Sequence, residues 1–283
     1  MIIDILKSIV YGIVEGITEW LPISSTGHLI LFETFLPFKN VANTESFFSM
    51  YEVVIQLGAI IAVLVLFWNK LWPFKKNESG EKGLSPYLKM DTINLWVKVI
   101  VAVLPSAFIG LLLDDWFDAH LYNETTVSIM LILYGIFFIL VEGWNKKRTP
   151  KIETLENLSY KTALMVGAFQ VLALIPGTSR SGATILGAIL LGLARPVAAE
   201  FSFFLAIPTM LGASLLKMVK YFLDGNVFSL GEGLVLLTGM VVSFIVSIIA
   251  IKGLMAYVKK KDFSFFGYYR IVLGIIVLAF VLF

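Results

Sequence analysis

Long apolar stretches separated by short polar segments dominate the chain. Six of them run for the roughly 20 residues that cross a bilayer. They cover residues 47–69, 93–113, 125–144, 197–222, 231–256 and 265–283. The pattern predicts six full transmembrane helices and therefore an all-α, polytopic integral membrane protein.

Two further apolar regions, residues 2–36 and 162–194, are interrupted near their middles. The interruptions are residues 21–28 (LPISSTGH) and 175–182 (IPGTSRSG). Proline, glycine and hydroxyl residues end one helix and cap the next. Irregular backbone at membrane depth is tolerated only where it lines a cavity or is buried in protein. The pattern therefore predicts two re-entrant helix–break–helix hairpins.

The two breaks also indicate an internal repeat. A shift of 155 residues places Gly12 on Gly167, Glu15 on Gln170, Ser24 on Ser179, Thr26 on Ser181 and Gly27 on Gly182. Gly58 and Gly212 match at nearly the same shift. We expect one membrane domain, residues 1–283, built from a first repeat at 1–150 and a second at 151–283.

Basic residues predict the orientation in the membrane. Lysine and arginine concentrate in residues 70–92, 145–161 and 257–262, which the positive-inside rule places in the cytoplasm. The acidic segment 114–124 should then be an external loop, and both termini should face outward. The two repeats should therefore have opposite orientations in the membrane. Proteins with such inverted repeats have a binding site near the bilayer midplane, between broken helices. Lys217 and Lys220 fall near an external end and count mildly against this orientation.

Composition supports the membrane assignment and excludes other classes. Only 15% of residues are charged, against about 25% in soluble domains. The absence of cysteine excludes disulfides and thiolate metal sites. The net charge of +2 is too small to indicate nucleic-acid binding, and no basic tract is interleaved with aromatic residues. The first residues lack a basic segment and a cleavage site, so we expect them to be retained rather than removed as a signal peptide.

Chemistry is concentrated around the first break. Glu15 and Glu19 lie one turn apart on one helix face, and a carboxylate in an apolar helix is costly unless it has a partner or a function. A helix at the membrane interface, with both glutamates in water, is the alternative. Residues 24–28 open the next helix, whose free N–H groups suit an anion, although plain capping would also account for them. His28 is the only imidazole near the break, because His120 falls in the acidic segment.

The second break carries Arg180, whose planar fork matches phosphate oxygens. A structural pair between Arg180 and Glu15 or Glu19 is the alternative. Thr184, one turn further, adds a hydroxyl or simply packs, and Gln170 should line the same cavity as the repeat mate of Glu15. The remaining polar residues of the apolar stretches are expected to be interfacial or structural: Gln56, Lys98, Glu142, Glu200, Lys252 and Arg270.

Two carboxylates, a serine, a histidine, an arginine and two helix N-termini form a set suited to phosphoryl transfer. Because the set is assembled in a membrane, the substrate should carry a lipid tail.

Residues 15–28 (EGITEWLPISSTGH) and 176–184 (PGTSRSGAT) resemble the two motifs of the bacterial undecaprenyl-diphosphate phosphatase family, also called the bacitracin-resistance protein family. The resemblance covers essentially the whole chain. It implies removal of the terminal phosphate from undecaprenyl diphosphate, which recycles the lipid carrier of cell-wall synthesis and gives bacitracin resistance. It also implies a divalent cation, Mg²⁺ or Ca²⁺, and a site open to the outer side of the bacterial plasma membrane.

The resemblance carries over to a catalytic set of Glu15, Glu19, Ser25, His28 and Arg180. Ser25 would attack the outer phosphorus, and His28 would handle its proton. Glu19 with Glu15 would hold the cation, or Glu15 would orient His28, and a phosphohistidine route stays open. The residues expected to bind substrate are Ser24, Thr26, Gly27, Thr178, Ser179, Ser181, Gly182, Thr184 and Gln170.

Two rival functions follow from the same features. A lipid-phosphate transporter or flippase without hydrolysis would also use inverted repeats and broken helices. The other large class of membrane lipid phosphatases needs a further histidine after its arginine motif, and this chain has none beyond His120. The expected partners are a polyprenyl diphosphate lipid and the membrane, and a homodimer is left open.

Overall fold

The computed structural model describes residues 1–76 and 87–282. Residues 77–86, in the predicted cytoplasmic segment, and Phe283, at the end of the last predicted span, lie outside the described residues. The helices in chain order are α1 (Ile2–Thr18), α2 (Ser25–Phe35), α3 (Thr44–Val54), α4 (Gln56–Leu66), α5 (Trp68–Leu71), α6 (Met90–Leu121), α7 (Glu124–Asn145), α8 (Tyr160–Val171), α9 (Arg180–Leu190), α10 (Arg195–Leu223), α11 (Leu230–Val258) and α12 (Ser264–Leu282). The all-α prediction is confirmed.

Six elements in the described ranges are long and apolar enough to cross a membrane, which confirms the predicted spans. They are Thr44–Leu66, Met90–Leu113, Glu124–Asn145, Arg195–Leu223, Leu230–Val258 and Ser264–Leu282. The first of these consists of α3 and α4, joined at Ile55.

The sequence predicted a loop at residues 114–124, and this prediction is wrong because most of the segment is helical. Helix α6 continues through the acidic segment to Leu121, and α7 begins at Glu124. Charge ends a membrane span but does not end a helix, because aspartate and tryptophan residues are tolerated in helical turns. The stop comes from Asn123, whose side chain accepts a hydrogen bond from the Thr126 amide and caps α7.

Each interrupted region forms two helices with a break between them, as predicted. Helix α2 folds back along α1, since the Tyr11 hydroxyl donates to the Leu36 carbonyl at 3.1 Å and the Lys39 amide donates to Asp4 Oδ1 at 3.1 Å. In the second region a 3₁₀ turn at Leu172–Leu174 precedes the break, and α9 is buried along most of its length. Entry of each hairpin into the membrane from its own face stays a prediction.

The helices of the two predicted repeats pack reciprocally. Helix α1 packs mainly on α11, and α8 packs mainly on α6. Both crossings require glycine: a Cβ on Gly12 would lie 2.7 Å from the Gly239 carbonyl oxygen, and one on Gly167 would lie 2.0 Å from that of Ala102. Helices α7 and α12 complete the structure by packing along each other. Each half therefore supplies the packing surface for the broken element of the other.

Polar contacts define two opposite ends of the bundle. At one end lie the ion pairs Lys70–Glu200, Lys146–Asp262 and Arg195–Glu142. At the other end, Lys220 pairs with Asp115 at 2.9 Å. The predicted cytoplasmic segments meet at the first end, and Lys220 is offset by an acidic residue at the second. This grouping agrees with the predicted topology, whereas the side that faces the cytoplasm stays a prediction.

Candidate active site

Both breaks use a serine in an unusual backbone conformation. Ser24 has φ 74° and Ser179 has φ 73°, and Asn43 is the only other non-glycine residue with positive φ in the described ranges. Such a conformation costs about 1–3 kcal/mol. Each serine side chain also accepts a helix-capping hydrogen bond, from Gly27 N at 3.3 Å and from Gly182 N at 3.1 Å. Two predicted repeat mates thus end the two breaks in the same way.

The two breaks meet at Glu19. Arg180 Nη2 donates to Glu19 Oε1 at 2.7 Å, and the Ser25 hydroxyl donates to Glu19 Oε2 at 2.7 Å. The Ser181 hydroxyl donates to the Glu19 carbonyl at 3.0 Å. Arg180 is held further by Nη1, which donates to the Ser202 carbonyl at 2.7 Å. One carboxylate thus links a serine of the first break to the arginine of the second.

A cavity of about 380 Å³ lies where the breaks meet. The predicted site residues in its wall are Glu19, Ser24, Ser25, Thr26, Gln170, Ser179 and Arg180. Helices α6 and α10 provide much of the remaining wall, which is largely apolar and extends to Leu111 and Leu216. These two residues are one turn short of the Asp115–Lys220 ion pair. The cavity therefore combines a charged region with an apolar approach, as an amphiphilic ligand requires.

The other predicted site residues do not line this cavity. They are Glu15, Gly27, His28, Thr178, Ser181, Gly182 and Thr184. Several still support the site, as Thr184 does by donating its hydroxyl to the Arg180 carbonyl at 2.9 Å. Gln170 is fixed by its amide, which donates to Ser106 Oγ at 2.6 Å.

The His28 ring is held by two contacts that the resemblance did not imply. Its Nδ1 lies 2.7 Å from the Ser24 carbonyl oxygen, and its Nε2 lies 2.7 Å from the Tyr269 hydroxyl. Neither ring nitrogen hydrogen-bonds to Ser25 or Glu15, and the proton-handling role of His28 stays a prediction. The Ser25 hydroxyl faces Glu19 instead.

Arg270 is a site residue that the sequence did not single out. It is fully buried, and its Nη2 donates to the carbonyls of Gly177 at 2.7 Å and Thr178 at 2.9 Å, while Nη1 donates to that of Pro22 at 3.1 Å. One guanidinium thus ties the backbones of both breaks together. The available signal was a lone positive charge in the last apolar span, which is costly unless it has a role.

Glu15 and Glu19 are the carboxylates expected to bind the implied cation. Glu15 is fully buried, and neither of its oxygens has a hydrogen-bond partner among the described residues. Those residues hold no cluster of three or more acidic, histidine or cysteine side chains arranged for a metal. Mg²⁺ is usually held by one or two carboxylates together with substrate phosphates. Glu19 lies in the cavity wall, and Glu15, one turn earlier on α1, lies outside it with both oxygens unpartnered among the described residues. The donor set fits a cation that Glu19 holds jointly with a phosphate group, with Glu15 as a second carboxylate beside it.

Known proteins are similar to this chain over nearly its full length. The undecaprenyl-diphosphatase of Acetivibrio thermocellus is 57% identical over 280 residues, covering 99% of this chain and 98% of that protein. The undecaprenyl-diphosphatase of Enterococcus faecalis is 58% identical over 277 residues, covering 98% and 96%. That of Streptococcus thermophilus is 55% identical over 277 residues, covering 98% and 93%. The sequence profile of the bacitracin resistance protein BacA family matches residues 8–276, and the chain belongs to that family.

Proposed function

We propose that this protein hydrolyses undecaprenyl diphosphate to undecaprenyl phosphate and inorganic phosphate, and so returns the lipid carrier to cell-wall synthesis. Relatives that match nearly the full chain carry the name undecaprenyl-diphosphatase. The six apolar spans among the described residues and a cavity with a charged region suit a substrate that has a long lipid tail and a diphosphate head. Bacitracin resistance would follow from the same activity.

The contact between Ser25 and Glu19 carries the proposal. A serine becomes a nucleophile when an adjacent base takes its proton, and Glu19 Oε2 already accepts the Ser25 hydroxyl hydrogen at 2.7 Å. Ser25 Oγ attacks the terminal phosphorus as its proton passes to Glu19. The bond from that phosphorus to the bridging oxygen breaks, and undecaprenyl phosphate leaves with the bonding electrons. Water then attacks the phosphoserine, and the bond between phosphorus and Ser25 Oγ breaks. Ser25 Oγ takes back the proton held by Glu19, so phosphate is released and both groups return to their starting forms.

Arg180 and the two helix starts stabilise the charge that develops on the phosphoryl group. Arg180 lines the cavity and keeps Glu19 and the Ser202 carbonyl as fixed neighbours, so it is oriented before substrate binds. The N-termini of α2 and α9 carry N–H groups without intrahelical partners and a positive dipole end. Groups preoriented in this way favour the transition state over the ground state.

A divalent cation, Mg²⁺ or Ca²⁺, would be held by Glu19 and Glu15 together with the diphosphate. Bound there, it would neutralise phosphate charge and assist departure of the leaving group.

The enzyme would act in the bacterial plasma membrane, with its cavity open to the outer side. Support comes from the cavity wall, which follows α6 and α10 toward the end marked by the Asp115–Lys220 pair. The basic segments predicted to be cytoplasmic gather at the opposite end.

Phosphate release from undecaprenyl diphosphate by detergent-purified protein tests the proposal. We expect release that depends on added Mg²⁺ or Ca²⁺ and stops with a chelator. A transporter or flippase would bind the lipid and release no phosphate. Phosphate release that persists after complete metal removal would contradict the proposed role of the cation, and the proposed hydrolysis would still stand.

A further inference from the structure

Tyr269, on α12, reaches the first break through His28. Its hydroxyl lies 2.7 Å from His28 Nε2, and the two rings are nearly parallel, with an interplanar angle of 8°. The catalytic scheme above leaves Tyr269 unused, and the residue lies outside the cavity wall. We propose that Tyr269 is a positioning residue that acts through His28 on the Ser24 turn, a role that rests on the phosphatase function proposed above.

The partners of His28 define its protonation pattern. Nδ1 lies 2.7 Å from the carbonyl oxygen of Ser24, and a carbonyl only accepts hydrogen bonds, so Nδ1 carries the hydrogen. In the neutral ring, the lone pair is then on Nε2, where it accepts the Tyr269 hydroxyl hydrogen. The two contacts together select one tautomer and one ring orientation.

The carbonyl that His28 holds belongs to a residue under backbone strain. Ser24 has φ 74° and ψ 96°, which L-residues rarely adopt. Its carbonyl accepts the His28 backbone N–H only at 3.3 Å, so the shorter bond from Nδ1 is the closer restraint. The same peptide unit links Ser24 to Ser25, whose hydroxyl must keep its hydrogen bond to Glu19. A His28 ring free to rotate would release this peptide and misplace the nucleophile.

Tyr269 is suited to prevent that rotation. Its side chain is 39% exposed on the surface of α12, a candidate membrane span, while its hydroxyl is directed at the buried His28. Bilayer hydrocarbon offers no water to replace this hydrogen bond, so breaking it is costly. The tyrosine therefore restrains the His28 ring on its Nε2 side.

Tyr269→Phe removes only the hydroxyl and leaves the ring in place. We expect kcat for phosphate release to fall about tenfold, the effect of one lost positioning hydrogen bond. KM should stay within about twofold, because the diphosphate contacts around Arg180 are untouched. Tyr268→Phe is the matched control, since Tyr268 is 59% exposed and adjacent in sequence, and it should behave as wild type.

A spectroscopic readout separates positioning from general packing. The chain has two histidines, so ¹⁵N-histidine NMR in a His120→Gln background reports His28 alone. We expect a single Nδ1–H tautomer, and in Tyr269→Phe a shifted Nε2 signal with a second tautomer. An unchanged His28 spectrum, an unchanged kcat or a loss confined to KM in Tyr269→Phe would overturn the proposal. Wild-type protein that releases no phosphate would instead contradict the phosphatase function, and the tautomer result would still stand.

Discussion

The Ser25 hydroxyl and the Glu19 carboxylate are joined across the first break by a 2.7 Å hydrogen bond. Glu19 is the C-cap of α1, and Ser25 is the first residue of α2. The chain turns back between them, so the break itself brings a base to a nucleophile. The other Glu19 oxygen accepts a hydrogen bond from Arg180 Nη2 at 2.7 Å, so the carboxylate is held in place on both sides.

Glu19→Gln should lower kcat by about 10²–10⁴, the usual contribution of a general base. The amide keeps the size of the side chain but does not take the Ser25 proton. Activation by Mg²⁺ should also weaken in a titration of phosphate release. Glu45→Gln, at an exposed position on α3, serves as the control and should match wild type. Full activity in Glu19→Gln would exclude Glu19 as the base.

Arg180→Ala should reduce the rate of phosphate release by about 10²–10³, as expected when a donor to developing charge is lost. Arg180→Lys should recover little, because lysine keeps the charge without the two-pronged contact. An exposed arginine, Arg148, gives the matched control as Arg148→Lys. Each variant must keep the wild-type gel-filtration profile in detergent. A well-folded Arg180→Ala protein with wild-type activity would leave the first break alone as the active site.

Arg270→Met should destabilise the protein. The methionine fills much of the space but leaves the carbonyls of Pro22, Gly177 and Thr178 without their donor, and each unsatisfied buried group costs about 1–3 kcal/mol. We expect a clearly lower thermal unfolding midpoint in detergent and a smaller loss for Arg270→Lys, which retains a donor. Equal stability of Arg270→Met and wild type would show that the two breaks hold together without this link.

Two glycines that align in the predicted repeats have different surroundings. A Cβ on Gly58 would lie 2.0 Å from the Met240 carbonyl oxygen, whereas a Cβ on Gly212 would meet nothing within 4 Å. Gly58→Ala should therefore lower the thermal midpoint by several degrees, because α4 and α11 must separate. Gly212→Ala should leave the midpoint unchanged or raise it, because alanine is the better helix former. Equal effects of the two substitutions would contradict the close α4–α11 contact.

The absence of cysteine makes topology easy to test. His120→Cys and Lys147→Cys lie at exposed positions near opposite ends of α7. An impermeant thiol reagent should label position 120 in intact cells, and position 147 only after permeabilisation. The reverse pattern would invert the orientation and place the cavity mouth on the cytoplasmic side.

The spans, the breaks and the pairing of Ser24 with Ser179 could be predicted because their signals are local. Apolar run length sets the spans, and proline, glycine and serine set the breaks. Contacts between residues far apart in the sequence left no such local signal. The partners of Arg270 are backbone carbonyls, which every residue carries, so no spacing in the sequence identifies them. The contact of His28 with Tyr269 left no signal for the same reason, since Tyr269 lies at the far end of the chain.

The reciprocal packing of α1 on α11 and of α8 on α6 has a consequence for biosynthesis. Helix α1 leaves the ribosome first, yet the surface that covers it is made almost last. Until α11 arrives, the buried polar side chains of α1, among them Ser8 and Glu15, lack their final surroundings. Until then the first half holds these polar groups at membrane depth without their packing surface, which is costly in hydrocarbon. A chain that stops before α11 would leave them without that surface.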